Sequence, residues 1–253
     1  MSRILTIAHR GASAHAPENT LAAIRNALAR DADLVELDVQ RTKDGELVVL
    51  HDTTLDRTTD VRRRFPGRAP WRLSDFTLAE IRTLDAGSWK SSAHAGERIP
   101  TLAEALAVLA GSRAGALLEL KAPALYPGIA AEVTAVVHAS PLPRTAVVLQ
   151  SFDVEVVHDL ARADGSLALG VLGRPDRTRL PEIAEWAGLV NVHHRRIDRA
   201  YVDAVHGSGL RCFTWTVNRS SAMRRAASLG VDGVVTDHPD VAHRVTSAAL
   251  LRT

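Results

Sequence analysis

The pattern of the chain predicts a (β/α)8 barrel of the TIM type with a small insertion after the second strand, and three observations carry that expectation. Short apolar strands alternate with amphipathic helical stretches, which points to parallel βαβ units. Eight such strands fit within 253 residues, the ordinary size of a closed eightfold barrel. Polar residues recur at the C-terminal ends of several of these strands, where a barrel gathers its functional groups at one mouth. A doubly wound open sheet is the competing architecture, but its glycine-rich dinucleotide fingerprint is absent.

In chain order, residues 4–8 form the first strand, ending at His9-Arg10-Gly11. Pro17, Asn19 and Thr20 open a helix with Leu21, Ile24 and Leu28 on one face. Residues 34–39 form the second strand. Alternation places Leu34, Glu36 and Asp38 on one face and Val35, Leu37 and Val39 on the other. Asp44-Gly45 signals a tight turn, and Leu47–Leu50 returns as a hairpin partner. A two-residue loop would set position 51 opposite position 38, bringing His51 beside Asp38. Residues 52–98 are rich in Arg, Asp, Ser and Gly, without a clear strand, and constitute the insertion into what otherwise reads as one domain. Thr77–Glu80 and Thr101–Glu104 each spell a capping box, which starts a helix. Six further strands are expected over 116–121, 146–150, 167–172, 189–193, 210–217 and 233–236. Helices are expected over 127–138, 153–163, 180–186, 198–207 and 219–229.

Composition narrows the function. A net charge of +2 and only 4 Phe, 4 Trp and 2 Tyr speak against a nucleic-acid surface. One cysteine, Cys212, excludes an intrachain disulfide and reads as inert packing. The opening residues lack an apolar stretch of signal-peptide length and no run approaches a membrane span, so the expectation is a cytoplasmic chain without an integral membrane segment. Oligomeric state is not readable.

The chemistry sits at the strand ends. Glu36 and Asp38, with Glu119 on the third strand, present three inward carboxylates, a donor set for a hard divalent cation, Mg2+ or Ca2+. There is no cysteine cluster or paired-histidine helix of the kind that marks a dedicated zinc site. His9 and His51 can serve as acid and base near neutral pH, and Arg10 and Lys121 add positive charge suited to phosphate. Each residue alone has an ordinary reading: a solvated histidine, an edge-strand Glu-x-Asp pair, a core tryptophan at 215, a helix cap at Glu18-Asn19. The coincidence of polar groups at five strand ends favours a site over all of these.

The strings HRGASAHAPENTLAAI and VELDVQRTKDGELVVLHDTTLDRTT resemble the glycerophosphodiester phosphodiesterase family, and TLAEIRTLDAG, RIPTLAEAL, LLELK, QSF, TWTVN and GVDGVVTDHPD continue the resemblance in order. It covers nearly the whole chain. It implies a TIM barrel and hydrolysis of a small-molecule glycerophosphodiester to glycerol 3-phosphate and an alcohol. By position, His9 and His51 match the family's catalytic pair, and Glu36, Asp38 and Glu119 its metal ligands. Arg10 and Lys121 match its phosphate contacts, and Trp215 an aromatic wall near the glycerol. The arginine-rich run Val61–Trp71 departs from the pattern and is expected to roof the mouth, acting on selectivity for the leaving alcohol. A lysophospholipase D-like enzyme acting on lysolipids, a non-catalytic phosphate-binding barrel and a nuclease are the rival readings. Which histidine is acid, and whether water or a glycerol hydroxyl attacks, is not legible.

Overall fold

The computed structural model describes residues 3–250. The first strand, β1 (Leu5–His9), leads through α1 (Leu21–Leu28) to β2 (Leu34–Arg41), the longest strand, which turns back as β3 (Leu47–Val49). Two one-turn helices follow, α2 (Val61–Arg64) and α3 (Leu78–Ile81), then α4 (Leu102–Ala110). From there strand and helix alternate: β4 (Gly115–Leu120), α5 (Ile129–Ala139), β5 (Val147–Ser151), α6 (Val154–Ala163) and β6 (Ala168–Leu172). The chain closes with α7 (Leu180–Ala184), β7 (Leu189–His193), α8 (Arg199–Gly207), β8 (Arg211–Trp215), α9 (Ser220–Leu229), β9 (Gly233–Thr236) and α10 (Pro239–Leu250).

Eight of the nine strands are parallel neighbours in a ring that β1 and β2 close, and β3 stands outside it, antiparallel to β2. This is the expected TIM barrel. The length of β2 explains the extra strand. Its first half pairs with β1, which stops at the register His9 opposite Glu36, and the edge freed beyond that point is taken by β3. A bare edge would leave backbone groups unpaired.

The hairpin departs from expectation by one residue. Thr42 N–H donates to the Glu46 carbonyl, and Gly45 sits at φ +90°, so the loop holds three residues, not two. A left-handed glycine closing a three-residue loop shifts the register. Leu50, not His51, therefore lies opposite Asp38, donating its N–H to the Asp38 carbonyl. On α1, the fully buried face is Ala23, Ile24 and Ala27; Leu21 and Leu28 are only partly covered. Small residues let the helix lie close to the strands, and the leucines fill its flanks. Thr20 caps it as expected, and both predicted capping boxes form, at Thr77 and Thr101.

The barrel interior has two layers set by strand alternation. Ile7, Leu117, Val148, Leu189, Phe213 and Val235 plug the lower part with apolar side chains. Two residues further along the same strands stand His9, Glu119, Gln150, Asn191 and Trp215, with Asp237 just past the end of β9. The dry layer gives the polar layer a rigid floor of low dielectric, where charges interact strongly. A larger core fills the space between ring and helices. Residues 48–99 gather a third around Phe76, Leu55, Leu73, Ile81 and Leu84.

Cys212 belongs to the core between ring and helices and is fully buried. Burial, with Asp232 nearby, pushes its thiol up to about 12, so the nucleophilic thiolate is absent at neutral pH. A thiol-reactive disulfide reagent should label the native protein only as fast as it unfolds. Full labelling within seconds in the absence of denaturant would contradict this burial.

Candidate active site

Strand register assembles the mouth. His9 lies opposite Glu36, Asp38 opposite Glu119, and Glu119 opposite Gln150. Partners in register on parallel strands share a face, so residues distant in sequence meet above the apolar plug. His9, Glu36, Glu119 and Gln150 line a cavity of about 190 Å³ with Arg10, His51, Lys121, Phe152 and Trp215, room for a small polar ligand.

The turn after β1 has a strict requirement. Gly11 stands at φ +80°, and a Cβ there would sit 2.6 Å from Ala23. This tight turn, with Arg10 at φ 55°, aims the Arg10 N–H at Glu36 Oε2, 2.9 Å away. The Arg10 side chain bonds Glu18 at 2.8 Å, and its Nε lies 3.2 Å from Asp38. That second contact is an ion pair without hydrogen-bond alignment, and the buried Nε has no aligned acceptor. The Asn191 side-chain oxygen, also at the cavity, is likewise unpaired. Buried polar atoms without partners are rare, and both belong to residues that line this cavity.

Glu36, Asp38 and Glu119 are all buried, and each offers an oxygen within 4.8 Å of the others'. Lys121 reaches Glu119 at 2.6 Å and Asp38 at 3.2 Å. Asn19 donates to Asp38 at 2.8 Å. Burial pushes the Asp38 carboxyl up, but Lys121 and Arg10 outweigh it and hold the group below its usual range. Glu119 is driven up to about 7 by burial and by Asp38, against the pull of Lys121. Glu36 is pushed well above the usual range by burial and by its two carboxylate neighbours. Two cations thus serve three carboxylates, and the shortfall is what an oxygen-preferring divalent ion supplies. The donor chemistry fits such an ion, which Glu36, Asp38 and Glu119 would hold.

Each histidine is held by a carboxylate. His9 Nδ1 lies 2.6 Å from Asp237, and His51 Nδ1 lies 2.6 Å from Asp52. Burial raises Asp237, but hydrogen bonds from His9, Ser13 and Asn218 bring it down to about 2. Asp52, raised by burial and lowered by Arg57 and His51, also stands at about 2. Ionised carboxylates only accept, so both Nδ1 atoms carry the proton and both Nε2 atoms are left for a ligand. Burial, with Arg10 and Lys121 nearby, lowers His51 further, against the pull of Asp38 and Asp52. Arg57 joins the two halves of the mouth, bonding Asp52 and gripping both oxygens of Glu18 at 2.9 and 2.6 Å.

All eight expected site residues meet here. The hairpin register does not itself deliver His51; the buried Gln40 does, its amide nitrogen donating to the carbonyls of Leu50 and Asp52 at 2.7 and 2.8 Å and lying 3.1 Å from that of His51. Tyr126 in turn donates to the Gln40 oxygen at 3.0 Å. Gln40→Leu should therefore destabilise the fold by at least ~1–3 kcal/mol, through carbonyls left unsatisfied, and should lower activity by loosening His51. A denaturation midpoint equal to the parent's would contradict this anchoring. Sequence reasoning also missed Asp237, Asp52, Glu18 and Asn19 as site residues. Asp237 follows the last strand and could have been found by the strand-end rule; Asn19 does not cap α1 but braces Asp38.

Trp215 Nε1 donates to the Asn191 carbonyl at 3.1 Å, and its ring meets Phe152 edge-on at 5.7 Å. The arginines expected to roof the mouth do not line the cavity. Arg62 pairs with Asp56, while Arg63 and Arg64 pair with Asp60, all within their own segment. Short ion pairs inside residues 56–64 satisfy those charges locally.

Known proteins place the barrel and its mouth in context. The Bacillus subtilis (strain 168) protein YhdW is 40% identical over 92% of this chain and 94% of its own. A glycerophosphodiester phosphodiesterase of Caldanaerobacter subterraneus subsp. tengcongensis is 36% identical, covering 94% and 96%. An Oleispira antarctica phosphodiesterase, solved in complex with the product sn-glycerol-3-phosphate, superimposes with a TM-score of 0.86 at 30% identity, over 97% of each chain. Residues 9–241, from the first mouth histidine to the start of α10, match the Glycerophosphoryl diester phosphodiesterase family, and the chain belongs to that family.

Proposed function

We propose that the chain hydrolyses glycerophosphodiesters to sn-glycerol 3-phosphate and an alcohol, with divalent-cation dependence and with His9 and His51 as acid and base. One observation carries the reading: two imidazoles, each fixed through Nδ1 by an ionised carboxylate, line a cavity together with Glu36, Glu119, Arg10 and Lys121, with Asp38 buried beside the two glutamates. The product bound by the Oleispira protein supports the substrate class.

Arg10 and Lys121 would orient the phosphate, their guanidinium and ammonium groups facing its nonbridging oxygens. A divalent cation held by Glu36, Asp38 and Glu119 would supply Lewis-acid charge to those same oxygens. One imidazole Nε2 accepts the proton of the attacking oxygen, and the other histidine, protonated, gives one to the departing alkoxide. Asp237 and Asp52 stabilise each imidazolium as it forms and keep the rings from turning. Trp215 and Phe152 form an apolar corner against which the glycerol carbons can lie.

A second reading, hydrolysis of lysolipids, draws on two exposed apolar side chains: Phe152 on the cavity wall and Leu125 in the loop after β4. Both offer exposed apolar surface to a short acyl segment. A panel of glycerophosphocholine, glycerophosphoethanolamine, glycerophosphoinositol, lysophosphatidylcholine and an aryl phosphodiester, assayed for glycerol 3-phosphate and for the free alcohol, tests both. Release of glycerol 3-phosphate from the water-soluble diesters is expected; no release from any of them would overturn the first reading.

A further inference from the structure

Outside the mouth, one more group of side chains among the described residues has converging donor atoms. His15 lies in the loop between β1 and α1, and His238 and Asp240 lie at the start of α10. Each of the three offers one donor atom within 4.8 Å of the others'. His15 Nε2 and Asp240 Oδ1 are hydrogen-bonded at 3.1 Å, and exchanging that proton for an ion needs little movement, since neighbouring ligands around a tetrahedral ion with bonds near 2.0–2.1 Å lie ~3.3 Å apart. The His15 and His238 rings meet edge-on, with centroids 6.0 Å apart. We propose that His15, His238 and Asp240 bind a transition-series divalent cation of the zinc class, separate from the carboxylate trio.

The chemistry of the donors distinguishes the two sites. Three carboxylates prefer hard ions such as Mg2+ and Ca2+, whereas imidazole nitrogen suits Zn2+, Co2+ and Ni2+. Two imidazoles and one carboxylate leave a fourth position open, and partial exposure of all three residues gives water access to it. Arg244 occupies the other Asp240 oxygen, Oδ2, at 3.2 Å, leaving Oδ1 turned toward His15. The His15 backbone is already held in place. A ring nitrogen of His94 lies 3.3 Å from the His15 carbonyl, and Lys90 donates to the Ser13 carbonyl at 2.7 Å.

The site's position also gives binding a consequence. His238 directly follows Asp237, and His15 lies two residues after Ser13, which donates to Asp237 at 3.0 Å. An ion bound there would clasp the β1–α1 loop to the first turn of α10, on both sides of the carboxylate that orients His9. An ion that binds only the folded chain raises its unfolding temperature by mass action.

The test uses Co2+ as the probe, with millimolar Mg2+ present to occupy the carboxylate trio. Equilibrium dialysis should give one more bound equivalent for the wild type than for His15→Asn or His238→Asn. Free Co2+ at a hundred times its dissociation constant should raise the wild-type Tm by about 5–10 °C. Neither variant should show that rise, while both keep the wild-type metal-free Tm and circular dichroism. Equal stoichiometry in wild type and variants, or a Tm rise that survives in both, would overturn the proposal.

Discussion

His9→Ala and His51→Ala each lower turnover of glycerophosphocholine by ~10²–10⁴-fold, the range over which a positioned proton donor or acceptor acts. The leaving group then separates their roles. Choline departs as a basic alkoxide and needs a proton, whereas nitrophenolate departs readily alone. Loss of the general acid should spare much of the activity on a nitrophenyl phosphodiester; loss of the base should damage both reactions, because the nucleophile needs activating in either case. Both variants should fold, since both rings are partly exposed and neither fills the core. Less than about tenfold loss on glycerophosphocholine for both variants would remove the acid/base pair from the mechanism. Equal proportional losses on the two substrates would retain the pair but dissolve the division of labour.

Removing divalent cations should abolish hydrolysis, and Mg2+ or Ca2+ should restore it. The expectation follows from charge. Glu36, Asp38 and Glu119 crowd one buried spot beside Arg10 and Lys121, and both glutamates are driven toward their protonated forms. A protonated ligand set neither screens the phosphate from Asp38 nor polarises its oxygens. Glu119→Gln should reproduce much of the loss while leaving Asp38 paired with Lys121, and added metal should rescue it poorly. Full activity after exhaustive dialysis into excess EDTA would overturn the ligand assignment.

How the site became legible differs from residue to residue. Glu36 and Asp38 stand out in the sequence because carboxylates two apart on an apolar strand are costly without a partner. Glu119 and Lys121 repeat that spacing, and His9, Arg10 and Trp215 fall at strand ends, so a parallel barrel is enough to bring them together. Local rules of this kind also set Thr20, Thr77 and Thr101 as helix caps and alternated the strands with helices. These features depend on near neighbours, and a single chain pattern carries them.

Other features depend on contacts across the fold. The hairpin register turned on whether Gly45 closes a loop of two residues or three, a choice that Asp44-Gly45 alone leaves open and that β3, seated on the edge of β2 beyond β1, settles. Arg62, Arg63 and Arg64 looked like a roof over the mouth, yet nearby aspartates hold them elsewhere. Asp237 meets His9 across 228 positions of sequence, and Tyr126 reaches Gln40 across 86. The sequence by itself therefore determined the barrel and the chemical character of its mouth, because strand alternation and strand ends are local properties. Only the tertiary structure decided that Asp237 holds His9 and that Tyr126 braces the Gln40 anchor of the His51 loop, because those bonds join segments 228 and 86 positions apart that only the folded ring makes neighbours.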